Sequence, residues 1–276
     1  MPSLNAQLLR RPFDDAQIDK IAGVMEQVTA YANELRSIID GSGLSIEKFY
    51  QGHNTLIVVP ERSDPSSLCR VEYITGWSPA FSEHVVEPIQ SLLEQKLDRR
   101  LRLFKDKCNY KNPKGGAFPP HQDAAAYLGM GPKYFVTVAY FLDEATAING
   151  CLCLSSNALA VSRRHGIPIS TEFGDHWLLP TYSTGAQNGE LVENVTSELE
   201  WFDVPGAPGD LLIFDAFEPH FSRLNASSSP RRAIFLTFNL AEAGEHYDAY
   251  YRRKFLNYGD PKFHIATPTK HDALGN

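Results

Sequence analysis

The chain has 276 residues, 43% hydrophobic and 21% charged, with 26 Lys and Arg against 33 Asp and Glu for a formal charge of -7. These proportions are those of a folded chain able to bury a sizeable core, and they exclude a disordered or fibrous protein. The acidic balance argues against broad binding to nucleic acid or to an anionic membrane and points to a small-molecule partner.

The start, MPSLNAQLLRRPFDDAQ, lacks the apolar run of a secretory signal, and no stretch approaches the roughly 18 apolar residues of a membrane span, so a cytoplasmic protein is expected. Cys69, Cys108, Cys151 and Cys153 are scattered without CxxC spacing and read as reduced, buried thiols. No feature of the sequence speaks to an oligomeric state.

Residues 1–100 read as mostly helical. DDAQIDKIAGVMEQVTAYANELRSII carries apolar residues at helical spacing, with Asp14 or Asp15 suited to its first turn and GSGLS as its stop. FSEHVVEPIQSLLEQKL predicts a second helix, with Ser82 as cap and Pro88 in the first turns, where proline is tolerated. From about residue 101 the texture changes. RLRLF, YFVTVAYFL, GCLCLS, DLLIF and RRAIFLTFNL are short, rich in β-branched and aromatic residues, and separated by turn-forming residues.

This order predicts a mainly β protein with flanking helices, a jelly-roll or barrel core over about 101–245 in a single domain spanning 1–276. The glycine-studded segment from Asn157 to Pro208 reads as a long irregular loop, a candidate lid. The tail EHYDAYYRRKFLNYGDPKFH mixes aromatics with charges and is expected to pack back on the body before a loose end.

PPHQDAAAY holds His121 and Asp123 two residues apart, and on a strand such residues project to one side. Alone the pair is a weak signal, since His and Asp are common in turns after proline. Two histidines and a carboxylate leave three positions open on an octahedral ion, which suits non-haem Fe(II) chemistry with O2. Of the remaining histidines, His220 has the strongest context, since PGAPGDLLIFDAFEPHF runs from a turn through an apolar strand to an imidazole at a strand end.

RRAIFLTFNL then alternates Arg231, Ala233, Phe235, Thr237 and Asn239 with the apolar-facing set Arg232, Ile234, Leu236, Phe238 and Leu240. The second set suits a core, and the first brings Arg231 into the site as a planar fork for a carboxylate. A keto acid with a second, remote carboxylate fits that layout, which describes 2-oxoglutarate.

These stretches, with CNYKNPKGGAFPPHQDAAAY, NGCL and PGDLLIFDAFEPHFSRLNASSSPRRAIFLTF, resemble the phytanoyl-CoA dioxygenase family of Fe(II)/2-oxoglutarate oxygenases over roughly residues 101 to 255. The resemblance implies a double-stranded β-helix of the cupin-like kind, with His121, Asp123 and His220 as iron ligands and Arg231 anchoring 2-oxoglutarate. It also implies cosubstrate contacts from Ser222 and Asn109, and it puts Tyr127 and Tyr140 where aromatics line the pocket. Asp123 stands where related halogenases have lost the carboxylate, so hydroxylation is implied.

The implied activity is hydroxylation of an unactivated C–H bond of a small molecule, with 2-oxoglutarate converted to succinate and CO2. The sequence looks closest to members acting on small polar substrates such as aminoalkylphosphonates or amino acids. A terpenoid-type natural-product oxygenase and a non-oxidative cupin-like binding protein are the alternatives. After NGCL this chain departs from the family's usual Pro-Gly-Ser-His-like turn with CLSSNALAVSRRHG, where Arg163, Arg164 and His165 form either a solvated run or a contact for an acidic substrate.

Overall fold

The computed structural model describes residues 6–61 and 64–258. The first predicted helix forms over Asp15–Gly41, with Asp14 as its cap accepting a hydrogen bond from the Gln17 amide at 2.8 Å. Ile21, Val24, Met25, Val28, Ala32, Leu35 and Ile39 recur three or four residues apart and make its buried stripe. GSGLS ends it as expected, and a short helix over Ile46–Gly52 follows.

The second helix starts earlier than predicted. Ser78, not Ser82, is the cap, its hydroxyl accepting from the Phe81 amide at 3.2 Å at the head of a turn over Pro79–Phe81. Ser82–Val86 then winds as a π-helical turn before the α-helix Glu87–Leu97. Pro88 explains the irregularity, because it has no N–H to give the His84 carbonyl four residues back. That carbonyl accepts from the Gln17 side-chain amide at 2.5 Å instead, tying the two helices together.

Among the described residues there are thirteen strands, in chain order: β1 (Gln7–Leu9), β2 (Ile57–Pro60), β3 (Leu68–Glu72), β4 (Leu101–Lys111), β5 (Phe118–His121), β6 (Phe135–Phe141), β7 (Leu152–Ser155), β8 (Ile167–Thr171), β9 (Gly174–Leu178), β10 (Trp201–Val204), β11 (Leu211–Asp215), β12 (His220–Ser222) and β13 (Arg231–Leu240). They form a seven-stranded sheet in the order β1-β11-β6-β13-β4-β3-β2, a four-stranded sheet β10-β7-β12-β5, and the hairpin β8-β9. Every pairing is antiparallel. The fold is a double-stranded β-helix with helices flanking the larger sheet.

Two expectations need correction. Residues 1–100 are not only helical, since β2 and β3 extend the large sheet through the pairing of β3 with β4. Nor is 157–208 an irregular loop: it carries a helix over Ala158–His165, the β8-β9 hairpin, a helical turn over Glu193–Thr196, and β10 at the edge of the small sheet.

The two faces of β13 divide as the alternation predicts. Ile234, Leu236, Phe238 and Leu240 join the core shared with the long helix, while Ala233 and Phe235 pack between the sheets with Leu152, Leu154, Leu212 and Phe214. The tail packs back as a helix over Tyr247–Leu256 that buries Tyr250, Tyr251 and Phe255. The expected loose end beyond residue 258 lies outside the described residues. Among those described, no helix is long and apolar enough to cross a membrane, and all four cysteines are buried and unpaired.

Candidate metal centre

The small sheet closes the gap between the two histidines. β12 lies between β5 and β7 with His220 directly opposite His121, and the ring centroids are 4.2 Å apart. Each ring is fixed by a backbone carbonyl two residues back: Nδ1 of His121 is 2.7 Å from the Pro119 oxygen, and Nδ1 of His220 is 2.9 Å from that of Glu218. Donation to these carbonyls places the proton on Nδ1 and leaves Nε2 as the free lone pair. Asp123 follows β5 after the single residue Gln122, at the head of the helical turn Ala124–Tyr127, with Oδ1 3.9 Å from Nε2 of His121.

The donor atoms of His121, Asp123 and His220 all lie within 4.8 Å of one another, and all three residues are buried. Burial, reinforced by the neighbouring His220, pushes His121 down to about 3, and burial lowers His220 as well. Burial would raise the Asp123 carboxyl, but Lys107 and the two imidazoles outweigh it and hold the group at about 2. Two neutral imidazoles beside one carboxylate are the protonation states that a cation requires of its ligands.

At the start of β13, Arg231 is only 2% exposed and forms no ion pair among the described residues. Its Nη2 donates to the Gly150 carbonyl, while Nε and Nη1 are buried without any acceptor. Burial brings this guanidinium down to about 10, still protonated near neutrality. Two such donors left unmatched cost about 1–3 kcal/mol each or more, a penalty that an incoming carboxylate removes.

Around Arg231 the predicted neighbours assemble. Ser222 shares the inward face of β12 with His220, and its hydroxyl accepts from Lys111 Nζ at 2.7 Å. Lys111 stands opposite Arg231 in the β4–β13 register and also donates to the Arg223 carbonyl. Asn109, two residues back on β4, keeps a buried Oδ1 without a partner. Gly150 shows why NGCL needs its glycine, for its φ is +74° and an added Cβ would stand 2.3 Å from the Arg223 carbonyl oxygen and 3.1 Å from Lys111. Asn149 closes the turn before it, donating to the Glu144 carbonyl and accepting from the Thr146 amide, both at 2.8 Å.

Other predicted residues fall elsewhere. Tyr127 is buried at the far end of the inner face from Arg231, edge-on to Phe104 and near Lys105. Tyr140 is on the opposite face of the large sheet, paired with Ile234 and packed into the helix-side core, so it does not line the site. Arg164 and His165 bind Glu198 at 2.5 and 2.9 Å, and Arg163 stacks over Trp177, so that run fastens its helix to neighbouring segments. Lys105, Lys107 and Lys111 on the inner face went unnoticed in the sequence; their one signal is the alternation within KDKCNYK.

The family description Phytanoyl-CoA dioxygenase (PhyH) matches residues 9–233. The chain belongs to the phytanoyl-CoA dioxygenase family. It is 30% identical over 188 residues to a 2-aminoethylphosphonate dioxygenase from the uncultured bacterium HF130_AEPn_1, covering 68% of this chain and 64% of that one. It is 34% identical over 152 residues to a methylphosphonate hydroxylase of Gimesia maris, covering 55% and 50%. The alignments thus span between half and just under two thirds of these relatives. Among solved structures, EctD from S. alaskensis with 2-oxoglutarate and 5-hydroxyectoine superposes with a TM-score of 0.61 at 18% identity, over 86% of this chain and 73% of that one, which establishes a shared fold.

Proposed function

We propose that this family member is an Fe(II)- and 2-oxoglutarate-dependent dioxygenase that hydroxylates an unactivated C–H bond of a small polar molecule. The net reaction converts substrate, O2 and 2-oxoglutarate into hydroxylated substrate, succinate and CO2. The observation that carries the reading is the buried guanidinium of Arg231, with two unmatched donors, in the same inter-sheet space as His121, Asp123 and His220. Relatives named for 2-aminoethylphosphonate and methylphosphonate favour a phosphonate as the substrate class. The proposal takes 1–276 as one catalytic domain, cytoplasmic and without a nucleic-acid or membrane partner.

The donor set fits the metal, two imidazole nitrogens and one carboxylate being the ligand types of non-haem Fe(II) oxygenases. His121, Asp123 and His220 would hold it. When bound, the iron supplies the oxygen activation that no side chain can perform. Asn109 and Ser222 flank the cosubstrate's seat, and Arg231 holds its remote carboxylate and so fixes its orientation. The apolar wall of Phe235, Ala233 and Phe141 keeps water from the reacting region.

The test is oxygen-dependent succinate formation from 2-oxoglutarate with Fe(II), run against a panel of phosphonates and amino acids and scored by mass spectrometry for gain of one oxygen. Succinate with an oxygenated product is the expected result. Iron binding without succinate across the panel favours a non-oxidative binding protein.

A further inference from the structure

Lys105, Lys107, Asn109 and Lys111 occupy alternate positions of β4 and so share one face, standing opposite Thr237, Phe235, Ala233 and Arg231 of β13. Lys111, at one end of this row, is engaged by Ser222 and Arg223. The other two lysines are not engaged in this way. Lys105 is 8% exposed, Lys107 is half-buried, and neither ammonium has a hydrogen bond or an ion pair within 4 Å among the described residues. Aromatic faces frame them instead, with Lys107 Nζ 5.0 Å from the Phe235 ring and Lys105 Nζ 5.5 Å from the rings of Tyr127 and Tyr250. Phe235, the ring under Lys107, packs with Leu154 and Phe214, which stand opposite and beside His220, so the row of lysines adjoins the metal centre.

Two cations side by side in a largely dry interior call for an anion with more than one charge. We propose that Lys105 and Lys107 are the receptor for the phosphonate dianion of the substrate, placed across His121, Asp123 and His220 from Arg231. This rests on the reading of the Arg231 end as the seat of 2-oxoglutarate. Two nearby carboxylates are already taken among the described residues: Glu72 is paired with Lys254 at 2.6 Å and Arg70 at 2.7 Å, and Asp123 belongs to the metal centre, so neither is offered to an ammonium. The receptor therefore reads the phosphonate and not the amine of an aminoalkylphosphonate.

Anaerobic equilibrium dialysis tests this with the full chain, Fe(II) and saturating 2-oxoglutarate, using ethylphosphonate, 2-aminoethylphosphonate and ethanesulfonate as probes. The two phosphonates are expected to bind within about threefold of each other, and the singly charged sulfonate about tenfold or more weakly. Lys105→Gln and Lys107→Gln are each expected to weaken both phosphonates by about tenfold, while 2-oxoglutarate binding measured alone changes by less than about twofold. Sulfonate binding as tight as phosphonate, no phosphonate binding by the unaltered protein, or unchanged affinity in both lysine variants overturns the receptor. A preference of more than about tenfold for the aminated probe overturns the claim that the amine is unread. The sulfonate contrast needs only the unaltered protein and decides the matter even if the variants misfold. Loss of 2-oxoglutarate binding in the unaltered protein, or its persistence in Arg231→Ala, instead counts against the dioxygenase reading, and the contrast between probes still judges the receptor.

Discussion

Asp123 contributes the only carboxylate of the three converging donors, and Asp123→Ala leaves two imidazoles to hold a divalent cation. Metal content after dialysis and succinate output are both expected to fall to near background; full turnover in that variant would reject the assignment. Gly150→Ala makes a different point. Its methyl would collide with the Arg223 carbonyl and press on Lys111 at a backbone angle that L-residues rarely adopt. A loss of about 1–3 kcal/mol in urea unfolding is expected, together with weaker 2-oxoglutarate binding, because the Gly150 carbonyl also holds Arg231. An unaltered midpoint and affinity would show that the turn can relax. Much of this site was legible because its residues sit in short local patterns, the HxD pair and the strand-end His220. Lys105 and Lys107 were not, since lysines alternating along a strand look the same whether they face water or an interior, and only the register with β13 distinguishes the two.

At the level of elements, β13 could be read in full, because ten residues of alternating character declare both a strand and its two faces. β2 and β3 could not. IVVP and LCRVE are short and lie between helices; β2 pairs with β3, and β3 takes its other partner, β4, from beyond the helix Glu87–Leu97. The shift of the helix cap from Ser82 to Ser78 has a similar origin, as Pro88 forces a π turn that periodicity does not reveal.

The C-terminal helix is pinned to β3 by Lys254 and Glu72, both fully buried, and Glu72 also meets Arg70. Glu72→Gln leaves two buried cations without a counter-charge and is expected to cost about 3–5 kcal/mol. Burial would raise the Glu72 carboxyl, but Lys254, Arg70 and Lys105 outweigh it and hold it well below its ordinary value. With the folded value below the unfolded one of about 4.3, this contribution is complete above that pH and fades as pH falls through the folded value. Urea unfolding of both proteins checks it: their stability difference should narrow below about pH 4, and a constant difference from about pH 7 to about pH 3 would contradict the pairing.

For the molecule as a whole, the two sheets act as a clamp whose contents should stabilise it. The small sheet and the turn after β5 carry the three proposed metal donors, while β13 and β4 of the large sheet carry Arg231, Asn109 and Lys111. A ligand that binds only the folded state at about a hundred times its Kd adds about 2.7 kcal/mol, which for a chain of this size raises Tm by roughly 5–10 °C. Anaerobic Fe(II) with 2-oxoglutarate is expected to give such a shift. Arg231→Ala should keep the increment from Fe(II) and lose that from 2-oxoglutarate; equal shifts in both proteins would place the cosubstrate elsewhere.

The most direct measurement is a crystal structure grown anaerobically with Fe(II) and 2-oxoglutarate, with iron located by anomalous scattering. One iron peak bonded to His121, Asp123 and His220, with the remote carboxylate of 2-oxoglutarate on Nε and Nη1 of Arg231, is the expected result. Iron held by any other set of side chains, or a cosubstrate whose remote carboxylate does not touch Arg231, would contradict it.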